Sequence, residues 1–139
     1  MNRHLVFVYG TLRRGSARAM SIRFPKSRFV AEAKVGGSLF DLGAYPGFLL
    51  GDSNSLVVGE VYEVDDETLK ELDDFESSSH YWRKQLKIAL GTQTKKCWIY
   101  APNPDAVSGH TLITSGDWIE YVGTKADRPG GPGADETQS

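Results

Sequence analysis

Two short stretches of the chain hold the residue types and spacings that can do chemistry. The first is Val8-Tyr9-Gly10-Thr11-Leu12-Arg13-Arg14-Gly15. A strand that stops at a glycine leaves successive backbone N–H groups without ladder partners, and such groups can converge on an anion such as a carboxylate. The same residues also fit a plain solvated turn. They match neither the dinucleotide fingerprint nor the phosphate-binding loop, which ends Gly-Lys-Ser/Thr. The second stretch is Leu72-Asp73-Asp74-Phe75-Glu76, followed after three serines by His80-Tyr81-Trp82-Arg83. A helix ending near Glu76 sets that carboxylate at the negative end of the macrodipole, which raises its pKa and suits a general base. A solvated helix-end glutamate is the plainer alternative. Phe75 and Tyr81 offer Glu76 a low-dielectric wall, and Arg83, at strand spacing from Tyr81, is expected on the same side of the sheet. Tyr81 fits equally well as a core residue with a satisfied hydroxyl. Arg13 and Arg14 read either as a clamp for a second carboxylate or, preferably, as solvated surface. A single ligand pocket is expected between the first turn and Glu76.

These residues need a scaffold, and the patterning supplies one. His4 to Tyr9 reads as a buried strand running into the Gly10 turn. Ala17 to Phe24 fits a short helix stopped by Pro25. Arg28 to Leu42 reads as extended chain broken at Gly36-Gly37, the sort of bend a small barrel needs at a corner. Gly43 to Gly51, with Tyr45-Pro46-Gly47, reads as a loop. Leu56 to Val64, around Val58, Val61 and Val64, reads as a strand, and Asp65 or Asp66 then caps a helix whose apolar face carries Leu69, Leu72 and Phe75. Tyr81 to Leu90 and Lys95 to Ala101 form an antiparallel hairpin joined by Gly91-Thr92-Gln93-Thr94. Ser115-Gly116-Asp117-Trp118 opens a last helical turn or two, with Trp118 and Tyr121 packing back. The expected class is α+β: a small mixed-sheet β-barrel with short helices on its outside. One domain is expected over residues 1–122, with a disordered tail over 123–139.

Composition narrows the function classes. The 139 residues suffice for one real core. With 16 basic and 18 acidic side chains, no basic field is available to neutralise a phosphate backbone, so nucleic acid is not an expected partner. The one cysteine, Cys97, precludes an intrachain disulfide, suits a reducing cytoplasm, and fits a core position better than a catalytic thiol. His4, His80 and His110 sit in no ligand-spaced motif, and no metal site is expected. Neither an export signal nor an apolar run of about 20 residues is present, so no membrane association is expected.

Taken together, the motifs resemble the γ-glutamylcyclotransferase-like proteins, which include the γ-glutamylamine cyclotransferases. The resemblance covers most of Met1 to Val122. It rests on Val8-Tyr9-Gly10-Thr11-Leu12, Tyr45-Pro46-Gly47, Gly59-Glu60-Val61-Tyr62, Leu72-Asp73-Asp74-Phe75-Glu76 with Tyr81 and Arg83, and Trp98-Ile99-Tyr100. It implies that Tyr9, Gly10, Thr11 and Leu12 hold the amino-acid end of a small γ-glutamyl substrate, with Tyr81 and Arg83 beside them, and that Glu76 is the catalytic acid/base. The implied reaction is intramolecular aminolysis to 5-oxoproline and a free amine or amino acid, needing no cofactor or metal. A serine run follows Glu76 where family members often have glycine, which implies a differently shaped pocket entrance. The competing hypothesis is a non-catalytic binding protein for a γ-glutamyl or amino-acid ligand; a third is an interaction module working through the tail.

Overall fold

The computed structural model describes residues 2–51 and 55–126. Strand β1 (Arg3–Val8) is followed by helix α1 (Met20–Arg23), strands β2 (Arg28–Asp41), β3 (Pro46–Leu50) and β4 (Leu56–Asp65), and helix α2 (Asp66–Ser77). Strands β5 (Trp82–Leu90) and β6 (Gln93–Ala101), a 3-10 turn at Pro104–Val107, strand β7 (Thr111–Leu112) and helix α3 (Trp118–Ala126) complete it. The sheet order is β3-β2-β4-β1-β6-β5, with β7 on the free side of β2. Among the described residues only β1 and β6 pair in parallel, through Val6–Trp98 and Phe7–Ile99; the other pairings are antiparallel. The mixed sheet curls into a half-barrel with three short helices, as the α+β reading expected.

Alternation along β1 explains why the strand reads as continuously apolar. Phe7 joins Val57, Val61, Leu39, Phe48, Ile99 and Trp118 in the core enclosed by the curl. Val6 and Val8 point the other way, into a second core with Met20, Phe24, Tyr62, Leu69, Leu72 and Tyr100. A strand buried on both faces shows no polar periodicity.

β2 makes the corner. Through Gly36 it pairs with β4, and from Gly37 onward with β3. At Gly37 a Cβ would stand 2.7 Å from the Leu49 carbonyl oxygen and 2.8 Å from the Phe48 ring, so only glycine lets the two backbones approach. The bend expected at Gly36-Gly37 is thus a change of partner, while the bulge itself lies between Phe29 and Ala31.

Several boundaries differ from the sequence reading. Residues 43–51 are not wholly loop: Pro46–Leu50 is β3, an edge strand whose first residue is proline, a position that needs no ladder donor. In β4 the inward residues are Val57, Gly59 and Val61, with Glu60, Tyr62 and Val64 on the other face, and Val58 is only half-buried. The β5–β6 turn is tighter than expected, Gly91-Thr92 alone, with Gly91 at φ +66°. α1 starts at Met20 rather than Ala17. α3 runs four residues past Val122, so the expected tail begins inside a helix; its remainder, 127–139, lies outside the described residues. Trp118 is buried and Tyr121 packs beside it, donating to Asp41 Oδ2 at 2.6 Å. Cys97 is fully buried in β6, and burial pushes its thiol up to about 11, as for an inert core residue. Among the described residues no helix is long and apolar enough to cross a membrane.

Candidate active site

α2 delivers the acid. Asp65 caps its start, the side chain accepting the Thr68 N–H at 2.8 Å, and so fixes the helix phase. Leu69 and Leu72 face the second core, and Glu76 follows Leu72 by four residues, which turns its carboxylate toward the same interior. Past Ser77 the chain reverses through His80, at φ +64°, and the Glu76 carbonyl accepts the N–H groups of Ser79 (3.0 Å) and Tyr81 (3.1 Å). The end of the helix is therefore held by its own chain.

β1 delivers the facing wall. After Val8 the chain turns at Gly10, the Arg13 N–H closing on the Gly10 carbonyl at 3.0 Å, and the Met20 N–H closes on Leu12 at 2.8 Å. Among the turn hydrogen bonds of the described residues, none is donated by Gly10, Thr11 or Leu12. Gly10 is needed for contact: a Cβ there would stand 2.8 Å from Pro46 Cγ.

Between these walls lies a cavity of about 240 Å³. Val8, Tyr9, Gly10, Thr11 and Leu12 line one side, and Phe75, Glu76, Ser78, Ser79 and Tyr81 the other, with Phe7, Tyr45, Pro46, Tyr100 and Arg18 completing it. The phenols are fixed by main-chain carbonyls or a carboxylate. Tyr9 donates to the Tyr100 carbonyl (2.7 Å), Tyr81 to the Pro46 carbonyl (2.5 Å), and Tyr100 to Asp73 Oδ1 (2.6 Å). The Tyr45 ring meets Tyr81 edge-on, with centroids 5.6 Å apart.

Burial sets the ionisation here. It raises the Glu76 carboxyl from 4.5 to about 7. It also raises the phenols of Tyr9, Tyr81 and Tyr100, the Glu76 charge adding to each effect, so they stay protonated near neutrality. Glu76 is the cavity group poised to exchange a proton at neutral pH. The direction agrees with the sequence expectation, and the cause is desolvation, to which the expected wall of Phe75 and Tyr81 contributes, rather than the macrodipole.

Of the expected site residues, Glu76, Tyr9, Gly10, Thr11, Leu12 and Tyr81 line the one cavity. Arg83 does not. Its guanidinium pairs with Asp73 (3.1 Å) and lies 4.2 Å over the Trp98 ring, so it steadies α2 on the sheet. Arg13 and Arg14 also point elsewhere. Arg13 is not solvated surface, its side chain being 12% exposed between Glu60 and Asp117. Arg14 pairs with Glu32 and covers Phe29. The cation that does line the cavity is Arg18, which the sequence reading assigned to a helix; since α1 begins only at Met20, Arg18 sits in the loop beside the cavity. Its exposed position and the absence of an ion pair to a described residue leave it available to a ligand.

The family model described as "Gamma-glutamyl cyclotransferase, AIG2-like" matches residues 6–120. A protein of Vibrio cholerae named "Putative gamma-glutamylcyclotransferase" is 41% identical over 120 residues, covering 86% of this chain and 98% of its own length. The "Gamma-L-glutamyl-butirosin B gamma-glutamyl cyclotransferase" of Niallia circulans is 34% identical over 124 residues, covering 84% and 76%. Among solved structures, YkqA of Bacillus subtilis superposes with a TM-score of 0.74 at 29% identity, over 92% of this chain and 44% of that one. An AIG2-like protein of Mus musculus gives 0.70 at 25%, over 85% and 89%. The chain belongs to the γ-glutamyl cyclotransferase, AIG2-like family.

Proposed function

We propose that the chain is a γ-glutamylcyclotransferase that closes a γ-glutamyl amine or γ-glutamyl amino acid to 5-oxoproline. The observation that carries the reading is a desolvated glutamate, poised near pH 7, in one cavity with the Gly10 to Leu12 turn. In this reading the turn's amides hold the substrate's α-carboxylate. Glu76 takes a proton from the α-ammonium, and the freed amine attacks the γ-carbonyl carbon. As the bond from that carbon to the outgoing nitrogen breaks, Glu76 returns its proton to that nitrogen, and the surplus proton on the attacking nitrogen passes by way of the freed carboxylate to the departing amine, which leaves as an ammonium. The products are a five-membered lactam and a free amine, with no change of oxidation state.

Few groups suffice because nucleophile and electrophile lie in one molecule. Holding them aligned can supply roughly 7–11 kcal/mol of the barrier in the best intramolecular cases. Tyr81 and Tyr9, tied to main-chain carbonyls, serve as walls of fixed shape rather than as proton carriers.

The test is incubation with γ-glutamyl dipeptides, glutathione and γ-glutamyl-ε-lysine, following 5-oxoproline by mass spectrometry beside Glu76→Gln. Product from the parent that vanishes in the variant supports the reading. Ligand-induced thermal stabilisation without product from any of the panel favours a non-catalytic binding protein instead.

A further inference from the structure

Away from the cavity, the described residues bury one carboxylate that the proposed reaction does not use. Glu60, in the middle of β4, is 3% exposed. Its Oε1 accepts the Arg14 main-chain N–H at 3.0 Å and the Tyr62 hydroxyl at 2.9 Å, and its Oε2 accepts Arg13 Nε at 3.3 Å. Arg13 Nη1 donates onward to Asp117 Oδ1 at 2.8 Å, and that same oxygen takes the Glu120 N–H at the start of α3. Burial alone would raise the Asp117 carboxyl, yet the Glu120 N–H and Arg13 hold it below its usual value.

An ion pair this buried is a poor device for stability, since its desolvation cost rivals its attraction; such pairs are better suited to fixing one geometry among several. The geometry fixed here is specific. Arg13 and Arg14 immediately follow Gly10, Thr11 and Leu12, and Glu60 grips one by its side chain and the other by its backbone. On the far side Pro46 closes against Gly10. The cavity-lining turn is thus clamped between β3 and β4.

We propose that Glu60 is a positioning residue: through Arg13 and Arg14 it presets the Gly10, Thr11 and Leu12 amides that receive the ligand's carboxylate. The link rests on the function proposed above for that turn. Preset donors bind an anion without first being ordered, so loosening them weakens binding and leaves the proton chemistry of Glu76 in place.

Glu60→Gln keeps the shape and removes the charge, and Arg13→Gln removes the partner from its less buried end. Both variants are compared with the parent for KM, kcat and pH profile, and by amide NMR during titration with 5-oxoproline. KM is expected to rise about tenfold, with kcat changed less than about threefold and the limb near pH 7 unmoved. In both variants the Gly10, Thr11 and Leu12 amide signals are expected to broaden and to need about tenfold more 5-oxoproline for the same shift. The double variant should be no worse than either single one, because the pair acts as a unit. Amides that titrate in folded Glu60→Gln and Arg13→Gln as they do in the parent overturn the proposal, as does a loss of kcat at unchanged KM. A parent that binds 5-oxoproline but cyclises nothing counts against the reaction and not this link, whereas a parent whose amides ignore the ligand overturns the link itself.

Discussion

Replacing Glu76 by glutamine should make the protein more stable, but only at neutral and alkaline pH. The carboxyl is raised from 4.5 to about 7 because the folded chain desolvates it. A raised folded-state value means that folding favours the protonated form. Stability from this source is fully present below about pH 4.5, erodes as pH rises toward about 7, and is gone above. At about 1.4 kcal/mol per pH unit the gap amounts to roughly 3 kcal/mol. Exposed Arg18 and Ser78 on the lining show that solvent reaches the cavity, and its screening reduces the expected effect to about 1–2 kcal/mol. The assay is urea unfolding of parent and Glu76→Gln at pH 5 and pH 8, with all other titrations cancelling in the difference. The variant's advantage should grow between the two pH values by about 1–2 kcal/mol, or roughly 3–8 °C in Tm. An advantage of equal size at both would show that the carboxylate is not desolvated in solution. Glu76 would then have lost its physical claim to a general-base role, whatever its replacement did to activity.

The remaining predictions concern turnover. The parent's kcat/KM should rise with pH along a limb centred near 7, the value to which burial brings Glu76 in the free protein, and Glu76→Gln should lose about 10²-fold or more in kcat while still binding substrate; steady-state 5-oxoproline assays across pH 5.5–8.5 check both. Tyr81→Phe leaves the buried Pro46 carbonyl without its donor, which should cost about 1–2 kcal/mol in denaturant unfolding and leave the pH limb in place. Gly10→Ala drives a methyl against the Pro46 ring, and KM should rise at least about tenfold from displacement of the turn, measurable with any substrate the parent accepts. Arg18→Gln should slow substrates whose departing amine carries a carboxylate by about tenfold relative to decarboxylated analogues, read from paired kcat/KM values.

What the sequence disclosed was what local physics decides. β1 was legible because an apolar run ending at glycine has few other uses, and α2 because Asp65 and the Leu69–Leu72 face mark both its start and its phase. Glu76 was legible as a titratable group near the end of that helix, although the cause of its raised carboxyl, burial four residues past Leu72, depends on where the helix docks. What escaped was decided by partners distant in sequence. Pro46-Gly47 has turn chemistry, yet β2 recruits it as an edge strand. Arg13 looked like surface because its acidic partners lie 47 and 104 positions away. Arg83 was expected at the ligand, but Asp73 and Trp98 claim it first. Arg18 was hidden by a helix drawn three residues too early.

The parallel pairing of β1 with β6 has a consequence for how the cavity comes into being. Tyr9, just past β1, and the Tyr100 carbonyl that fixes it are 91 positions apart, so its hydroxyl is satisfied only after β6 has been made. Contacts of such separation close late, because loop-closure entropy is spent before they form. Nascent chains halted before β6 should therefore carry α2, with Glu76 in place, and still fail to bind. Ligand competence should appear in one late step, together with resistance to proteolysis, rather than growing as the chain lengthens.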